Sequence, residues 1–309
     1  KTSYSKIHGG RMTTILNQSS GSSWTAIHGD SAHAISELPE SSVHFSIYSP
    51  PFVDLFVYSD SAADLGNCRN DDEFFEQYRH IIQQVQRVTK PGRLSAVHCT
   101  DLPTRKFRDG FIGIKAFSDQ IREAHEAEGW IYHCRITVWR DPVVEMQRTK
   151  ALGLLYKQLC KDSAMSRVGL ADYVLVFRKP GDNPEPVGKD KKEFPVDLWQ
   201  KWASPVWMDI DQTDVLNGRT ARESDDERHV CPLQLDLIER AIRLWSNTGD
   251  VVLSPFMGIG SEGWVAMKSR RKFIGCELKE SYWKQASRNL AEAESSFSGG
   301  DLLTAMGAA

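Results

Sequence analysis

The sequence lacks several features that would define its class at once. Its 309 residues contain no run of about 18 apolar residues, so a membrane-spanning helix is not expected. The formal net charge of −3 excludes a uniformly basic wrapper of nucleic acid, so any nucleic-acid surface must be local. The six cysteines show neither a CxxC pair nor zinc-ligand spacing, and the N-terminus has no secretory pattern. These absences predict a reduced, cytoplasmic protein without a metal site.

The residues that are present predict one large α/β body. Hydrophobic residues make up 40% of the chain, which is enough to bury a sizeable core. Alternating strand and helix patterns predict a mostly parallel sheet covered on both faces. Composition divides the chain into a flexible N-terminal arm (1–23), a first α/β half (24–179), a linker or small inserted module (180–228), a second α/β half (229–294) and a flexible tail (295–309).

Hydrophobic periodicity predicts the individual elements. Strands are expected at the start of the segment from Trp24, at 43–47, 93–99, 130–139, 173–177, 251–253 and 272–276. Helices are expected around 34–38 and at 71–88, 117–128, 232–245, 261–267 and from Glu280 onwards. Lys90-Pro91-Gly92 is expected to end the second of these helices, because proline cannot continue a helix.

A glycine-rich turn joins a strand to a helix near the C-terminus. It reads Ser254-Pro-Phe-Met-Gly258-Ile-Gly260-Ser-Glu-Gly263, and the next strand ends in Glu277. Such a turn offers helix N-terminal amides to a ligand, and an acid at the tip of the following strand is typical of sites that hold a ribose. Gly258, Gly260 and Gly263 also match the dinucleotide fingerprint, so a nicotinamide enzyme must be considered. Phe256 before the glycines, and the absence of a following catalytic domain, argue against it.

The second motif is Ser49-Pro50-Pro51-Phe52 at the end of a predicted strand. The two prolines fix the local backbone and its carbonyl groups, while a hydroxyl precedes them and an aromatic ring follows. This set could accept hydrogen bonds from a planar amino group while the ring stacks on a base. An ordinary proline-rich turn is the alternative.

Together the two motifs resemble the S-adenosylmethionine-dependent amino methyltransferases of DNA, which methylate N4 of cytosine or N6 of adenine. Ser-Pro-Pro-Phe lies about 200 residues before the glycine turn, which is the circularly permuted order of their β group, and residues 139–173 resemble phage and prophage members. The resemblance implies a Rossmann-like class I methyltransferase fold: a mixed seven-stranded α/β sheet with helices on both faces, circularly permuted, with a small recognition insert.

The resemblance also implies site residues. Ser49, Pro50, Pro51 and Phe52 would be catalytic, and His98 and Asp101 could orient the base or relay a proton. The cofactor S-adenosyl-L-methionine would be bound by Asp30, His229, Pro232, Ser254, Phe256, Gly258, Gly260 and Glu277. Ser254 stands where the family often has aspartate.

The chemistry implied is an in-line displacement, in which the protein positions groups and stabilises charge. The target base would leave the duplex stack to reach the pocket. Cytosine C5 chemistry is rejected, because it needs a cysteine after a proline and the chain has only the reverse pair, Cys231-Pro232. Ser49 at the head of the motif favours N4-methylcytosine over the alternative, N6-methyladenine. An RNA or small-molecule methyltransferase and an inactive DNA-binding protein with this fold also remain open.

Double-stranded DNA is the partner that the resemblance implies, and no membrane partner is expected. Basic residues in two local groups are predicted to contact phosphates: Arg105, Lys106, Arg140, Arg148, Lys150, Lys161 and Arg167. A homodimer, a cognate restriction enzyme and a fused domain are left open, and the expected location is the cytoplasm of a bacterial or phage-infected cell.

Overall fold

The computed structural model of the protein describes residues 15–51, 68, 71–104, 106–216 and 232–306. Of Arg108, Arg148 and residues 298–306 it describes the backbone alone. In this part of the chain, no helix is long and apolar enough to cross a bilayer.

Strands and helices alternate along the described chain. The strands are β1 (Ile15–Ser20), β2 (Trp24–Gly29), β3 (Val43–Tyr48), β4 (Thr89–Thr100), β5 (Leu102–Pro103), β6 (Ile114–Lys115), β7 (Ile131–Val138), β8 (Asp172–Arg178), β9 (Val206–Trp207), β10 (Val251–Ser254) and β11 (Lys272–Glu277). The α-helices are α1 (Ser31–Ser36), α2 (Asp71–Val88), α3 (Lys106–Asp109), α4 (Phe117–Ala127), α5 (Pro142–Thr149), α6 (Tyr156–Lys161), α7 (Val196–Trp202), α8 (Leu235–Trp245), α9 (Ser261–Lys268) and α10 (Glu280–Met306).

The main sheet of the described residues has nine strands in the order β1-β2-β11-β10-β3-β4-β8-β7-β9. The five strands from β2 to β4 in this order are parallel to one another. β8 runs antiparallel to both of its neighbours, β4 and β7. The predicted mixed α/β sheet is therefore confirmed, but the predicted count of seven strands is wrong. The seven central strands are joined by β1 at one edge and by β9 at the other.

Helices cover both faces of the sheet, as predicted. On one face α8, α9 and α10 enclose a core that includes Phe45, Val252 and Trp283. On the other face α2 packs with α1 and α4. The buried positions of α2 follow helical spacing: Phe74, Tyr78, Ile81, Ile82, Val85 and Val88. Each such side chain contributes about 1.5–3 kcal/mol on full burial, so this face stabilises the helix against the sheet.

Two segments that were predicted to be flexible contain regular structure. Residues Ile15–Ser20 of the predicted arm form an edge strand, whose polar side chains hide it from a hydrophobicity pattern. The predicted tail continues α10 to Met306. The predicted end of α2 is confirmed, since the helix stops at Val88, two residues before Lys90. Residues 90–92 belong to β4, where a register shift between Val43 and Phe45 places them in a bulge.

The described part of the predicted linker or inserted module packs on the main sheet. This part, 180–216, contains α7 and β9, and β9 extends the main sheet by pairing with β7. Trp202 and Trp207 of this segment are buried, and the Trp207 indole donates to the Trp202 carbonyl at 3.1 Å. The segment therefore packs on the domain and does not form a separate module in this part.

Candidate active site

The predicted motifs meet at one edge of the sheet. β2, β11, β10 and β3 are parallel neighbours, so their carboxyl ends lie side by side. Asp30 follows β2, Glu277 ends β11, the glycine turn follows β10 and Ser49 follows β3. Parallel α/β sheets bind ligands outside the carboxyl ends of their strands. The fold therefore assembles residues that are about 200 positions apart in the chain into one candidate site.

The glycine turn is held by hydrogen bonds from both sides. The amide of Met257 donates to the Cys276 carbonyl at 2.9 Å, and the amide of Gly260 donates to the Met257 carbonyl at 2.7 Å. The Ser31 hydroxyl donates to the Pro255 carbonyl at 2.5 Å, which ties the start of α1 to the turn. Because these bonds fix the turn, its backbone amides keep their directions before any ligand arrives.

Glycine is required at two positions of this turn. Gly258 has φ +52 and Gly260, the N-cap of α9, has φ +91, a region that residues with a side chain rarely adopt. A Cβ built on Gly258 would meet no atom of the described residues within 4 Å, whereas one on Gly260 would lie 3.4 Å from Ala286. Gly258 thus leaves open space beside the turn, while at Gly260 the backbone conformation, and not a lack of space, favours glycine.

Two carboxylates flank the turn. One oxygen of Glu277 accepts from the Gly258 amide at 3.0 Å, and the other accepts from the Lys279 amide at 2.8 Å. Asp30 caps α1 by accepting from the Ala32 amide at 3.1 Å. Both carboxylates are partly exposed, so they could accept hydrogen bonds from a ligand's hydroxyl groups.

Ser49 is engaged by the neighbouring strand β4. Its hydroxyl lies 3.3 Å from Nδ1 of His98 and 3.2 Å from the His98 carbonyl, to which it can donate. Nε2 of His98 lies 3.5 Å from the carboxylate of Asp172, which begins β8, and Arg140 donates to the same carboxylate at 2.9 Å. Ser49, His98, Asp172 and Arg140 therefore form a chain in which each side chain contacts the next.

The protonation of this chain of side chains is set by its surroundings. Asp172 is only 5% exposed, and burial alone would raise its pKa. The contacts with His98 and Arg140 outweigh burial and lower the pKa of Asp172 below its ordinary value. Asp172 is therefore ionised at neutral pH and can hold the His98 ring in one orientation.

Several residues that were predicted to contact the cofactor or the base make contacts within the protein. The ring of Phe256 packs against Tyr48 and Tyr78 in the core, 5.8 and 6.3 Å between ring centroids. Asp101 caps α4 by accepting from the Ser118 amide at 3.0 Å. These contacts are structural: Phe256 packs the turn against the core, and Asp101 satisfies an amide in the first turn of α4. Pro50 is buried, and Pro51 and Pro232 are half-buried.

The predicted phosphate contacts divide into two groups. Arg140 is paired with Asp172, and Arg167 donates to the buried carboxylate of Glu145 at 3.0 Å, so both arginines are engaged in ion pairs within the protein. The exposed ones are Lys106, Lys150 and Lys161. The sequence shows where charge lies but not which way it points. Phe52, Arg105, His229 and the side chain of Arg148 lie outside what the structure describes.

Residues that sequence reasoning misses also lie here. The sequence does not indicate Asp172 and Ser31, because their hydrogen-bond partners are distant in the chain. Glu262 is a carboxyl only 4% exposed in the first turn of α9. An acidic residue directly after a glycine turn is a visible signal for it.

Comparison with known proteins identifies the family. The family model of N6/N4 methyltransferases, described as DNA methylase, matches residues 43–288, which is most of the chain. DNA adenine methyltransferase YhdJ of Escherichia coli (strain K12) is 27% identical over 271 residues, 86% of this chain and 82% of that protein. The chain therefore belongs to the N6/N4 family of DNA methylases.

Solved structures share the fold. TTHA0409 of Thermus thermophilus, solved with S-adenosyl-L-methionine, superposes with a TM-score of 0.63 at 22% identity, covering 86% of this chain and 94% of that one. PvuII DNA methyltransferase, cytosine-N4-specific, gives 0.61 at 17% identity, with 89% and 93% covered. The predicted amino methyltransferase of DNA, which uses S-adenosylmethionine, is thus confirmed as to family. The circular permutation and the phage type stay predictions.

The residues at the sheet edge fit this cofactor. The open space beside Gly258 adjoins backbone amides of the turn, and Glu277 is directed at them. The Ser254 hydroxyl is buried without a hydrogen-bond partner among the described residues, so a polar group of a ligand could satisfy it.

Proposed function

We propose that the protein methylates the exocyclic N4 amino group of cytosine in DNA, on a base turned out of the duplex. The observation that carries this proposal is Ser49, which directly follows β3, the neighbour of the strand that leads into the glycine turn, and whose hydroxyl contacts His98. A hydroxyl offers acceptor lone pairs to an amino group without the negative charge of a carboxylate.

The cofactor half of the proposed reaction rests on the turn and its two carboxylates. When bound, S-adenosylmethionine supplies a methyl group on a positively charged sulfur. Glu277 and Asp30 are proposed to accept hydrogen bonds from its ribose hydroxyls, and the amides after Gly258 to face its polar groups. Glu277 would exchange its present bond to the Gly258 amide for these contacts. His229 and Pro232 stay predicted neighbours of the methionine part.

The target half rests on Ser49 and the backbone that follows it. The amino nitrogen attacks the methyl carbon through its lone pair, and the product then loses one proton. Ser49 and the carbonyl of Pro50 are proposed to accept hydrogen bonds from the amino group, which keeps its lone pair directed at the methyl carbon. Phe52 is predicted to stack on the base.

His98 is proposed to position Ser49 and to receive the proton that the amino group loses. Its Nδ1 lies 3.3 Å from the Ser49 hydroxyl, within reach of a shared proton. The ionised carboxylate of Asp172 lies 3.5 Å from Nε2 on the other side of the ring, where it faces the positive charge that this proton would bring. Arg140 holds Asp172 in place, so its proposed role changes from phosphate contact to support of the site.

Three exposed lysines, Lys106, Lys150 and Lys161, remain proposed phosphate contacts. Lys150 and Lys161 belong to the segment between β7 and β8, whose two ends carry Arg140 and Asp172. The same segment therefore connects the proposed DNA surface to the proposed catalytic histidine.

The test is to methylate duplex DNA with the purified protein, digest the DNA to nucleosides and identify the product by mass spectrometry. We expect N4-methylcytosine. N6-methyladenine as the sole product would overturn the proposed base, and is the outcome that the likeness to YhdJ favours. No methylated base, together with no binding of S-adenosylmethionine by calorimetry, would favour the inactive DNA-binding alternative.

A matched pair of variants tests the role of Ser49. Ser49→Ala removes the proposed acceptor, and we expect the rate of methyl transfer to fall about a hundredfold while cofactor affinity is unchanged. Ser36→Ala, at an exposed serine of α1 whose hydroxyl bonds the His33 carbonyl, is the control and keeps full activity. Equal activity of the two variants would contradict the assignment.

A further inference from the structure

A buried carboxyl stands directly after the glycine turn. Glu262 is the second residue of α9, two positions after the N-cap Gly260, and is only 4% exposed. Among the residues that the structure describes, no side chain donates a hydrogen bond to it. Burial raises the pKa of Glu262 to about 8, although the bond that it accepts from its own amide acts in the opposite direction. Carboxyls are seldom buried without a partner, so this one needs an explanation.

Within the described part of the chain, no cation lowers the pKa of Glu262, and the carboxylate of Glu277 at the end of β11 raises it further. The buried Lys279, between β11 and α10, has its amino group 4.7 Å from the centre of the Tyr282 ring. The cations on the helices packed against Glu262 have other surroundings. Arg240 of α8 pairs with Asp236, Lys268 of α9 with Glu239, and Lys284 of α10 with Glu280, while Arg288 of α10 is exposed. Asp250 and Lys272 lie at the starts of β10 and β11, at the opposite edge of the sheet.

Unsatisfied polar atoms cluster at the same turn. The hydroxyls of Ser254 and Ser261 are buried on its two sides and have no hydrogen-bond partner among the described residues. Gly258 between them adjoins open space. Two unpartnered hydroxyls and a buried carboxyl therefore belong to the turn or its first helical turn, and the carboxylate of Glu277 bonds the Gly258 amide beside them. Such a set is suited to a ligand that carries positive charge and hydrogen-bond donors.

We propose that Glu262 is the counter-ion of the bound cofactor and distinguishes it from the product. S-adenosylmethionine carries one net positive charge because of its sulfonium, whereas S-adenosylhomocysteine has lost that charge with its methyl group. Glu262 is neutral in the empty site, gives up its proton to solvent when the sulfonium compound binds, and takes one back from solvent when methyl transfer removes the charge. The site thereby binds the substrate form more tightly than the product form. This inference rests on the proposed cofactor site.

The test is calorimetric titration of the ligand-free full chain at pH 6.5, in two buffers of different ionisation enthalpy. A carboxyl with a pKa of about 8 is almost wholly protonated at this pH, so we expect S-adenosylmethionine to release close to one proton. S-adenosylhomocysteine, titrated in the same way, should release far fewer. In Glu262→Gln the release on binding S-adenosylmethionine should vanish, and the preference for it over S-adenosylhomocysteine should fall about tenfold.

Controls separate the outcomes. Glu292→Gln, at an exposed carboxylate of α10, should leave proton release unchanged. Equal release by the wild type and Glu262→Gln, or equal release with both ligands in the wild type, would overturn the inference while leaving the cofactor site intact. The comparison of the two ligands needs only the wild type, so it decides even where the variant does not fold. Failure of the wild type to bind S-adenosylmethionine would instead refute the proposed cofactor site.

Discussion

The burial of Glu262 predicts that stability falls as pH rises in the ligand-free protein. Its pKa is about 8 in the folded chain against an ordinary value of 4.5, so the folded state holds a proton that the unfolded state has released between these values. Since the unfolded state then binds fewer protons, the free energy of unfolding decreases with pH in that window. Below pH 4.5 both states are protonated and the effect disappears.

The size of the effect follows from the same two values. One pKa unit corresponds to about 1.36 kcal/mol, and between pH 5.5 and 7.5 the ionisation of this one group removes about 2.5 kcal/mol of folding free energy. Glu262→Gln cannot ionise, so its stability should lack this decrease. Other titrating groups are shared by the two proteins and cancel in the difference between them.

The assay is equilibrium urea unfolding of the wild type and Glu262→Gln without ligand at pH 5.5 and pH 7.5. Between pH 5.5 and pH 7.5 the wild type should lose about 2.5 kcal/mol more of its free energy of unfolding than Glu262→Gln does. Glu292→Gln, with its exposed carboxylate, should follow the wild type. Parallel pH dependence of wild type and Glu262→Gln would refute the reasoning that Glu262 is buried and unneutralised.

Three further predictions follow from side-chain contacts. Asp172→Asn keeps the shape but removes the charge opposite His98, so the rate of methyl transfer should fall about tenfold or more with the cofactor Kd unchanged, as measured by a methyl-incorporation assay and calorimetry. Gly263→Ala should cost about 1–3 kcal/mol in urea unfolding, because its Cβ would overlap Leu290 of α10. Lys150→Ala should reduce the slope of log K against log salt for DNA binding by about one, whereas Arg140→Gln, which loses an internal ion pair, should leave this slope unchanged and slow methyl transfer. A reduced slope in the Arg140 variant would restore the phosphate contact that the sequence predicted.

The central elements could be predicted because each one buries a periodic apolar face. The spacing of Phe74, Tyr78 and Ile81 defines α2, and the apolar residues of β3 and β10 define the strands that carry the two motifs. The turn at Gly258 and Gly260 could also be predicted, because glycine is favoured where a strand passes tightly into a helix. The candidate site therefore followed from motifs whose structure is local.

What could not be predicted depends on pairing between distant residues. The edge strand β1 is polar, and β9 has only two residues, so neither produces a hydrophobic pattern. Arg140 and Arg167 looked like surface charge because their partners, Asp172 and Glu145, are 32 and 22 residues away along the chain. A sequence shows that a charge is present, but only the fold shows whether it faces water or another charge.

The proximity of the two motifs depends on strand order in the sheet and not on order in the chain. β10 enters the sheet between β11 and β3, where Leu253 pairs with Ser46. Neighbouring strands lie about 4.8 Å apart, and parallel strands end at the same edge, so the glycine turn and Ser49 must be close whichever comes first in the sequence. Both are attached to the same sheet, so no movement of one domain against another is needed to bring the proposed cofactor site on the turn to the proposed target base at Ser49. The proposed reaction therefore depends on the adjacency of β10 and β3 and places no requirement on the order of their motifs along the chain.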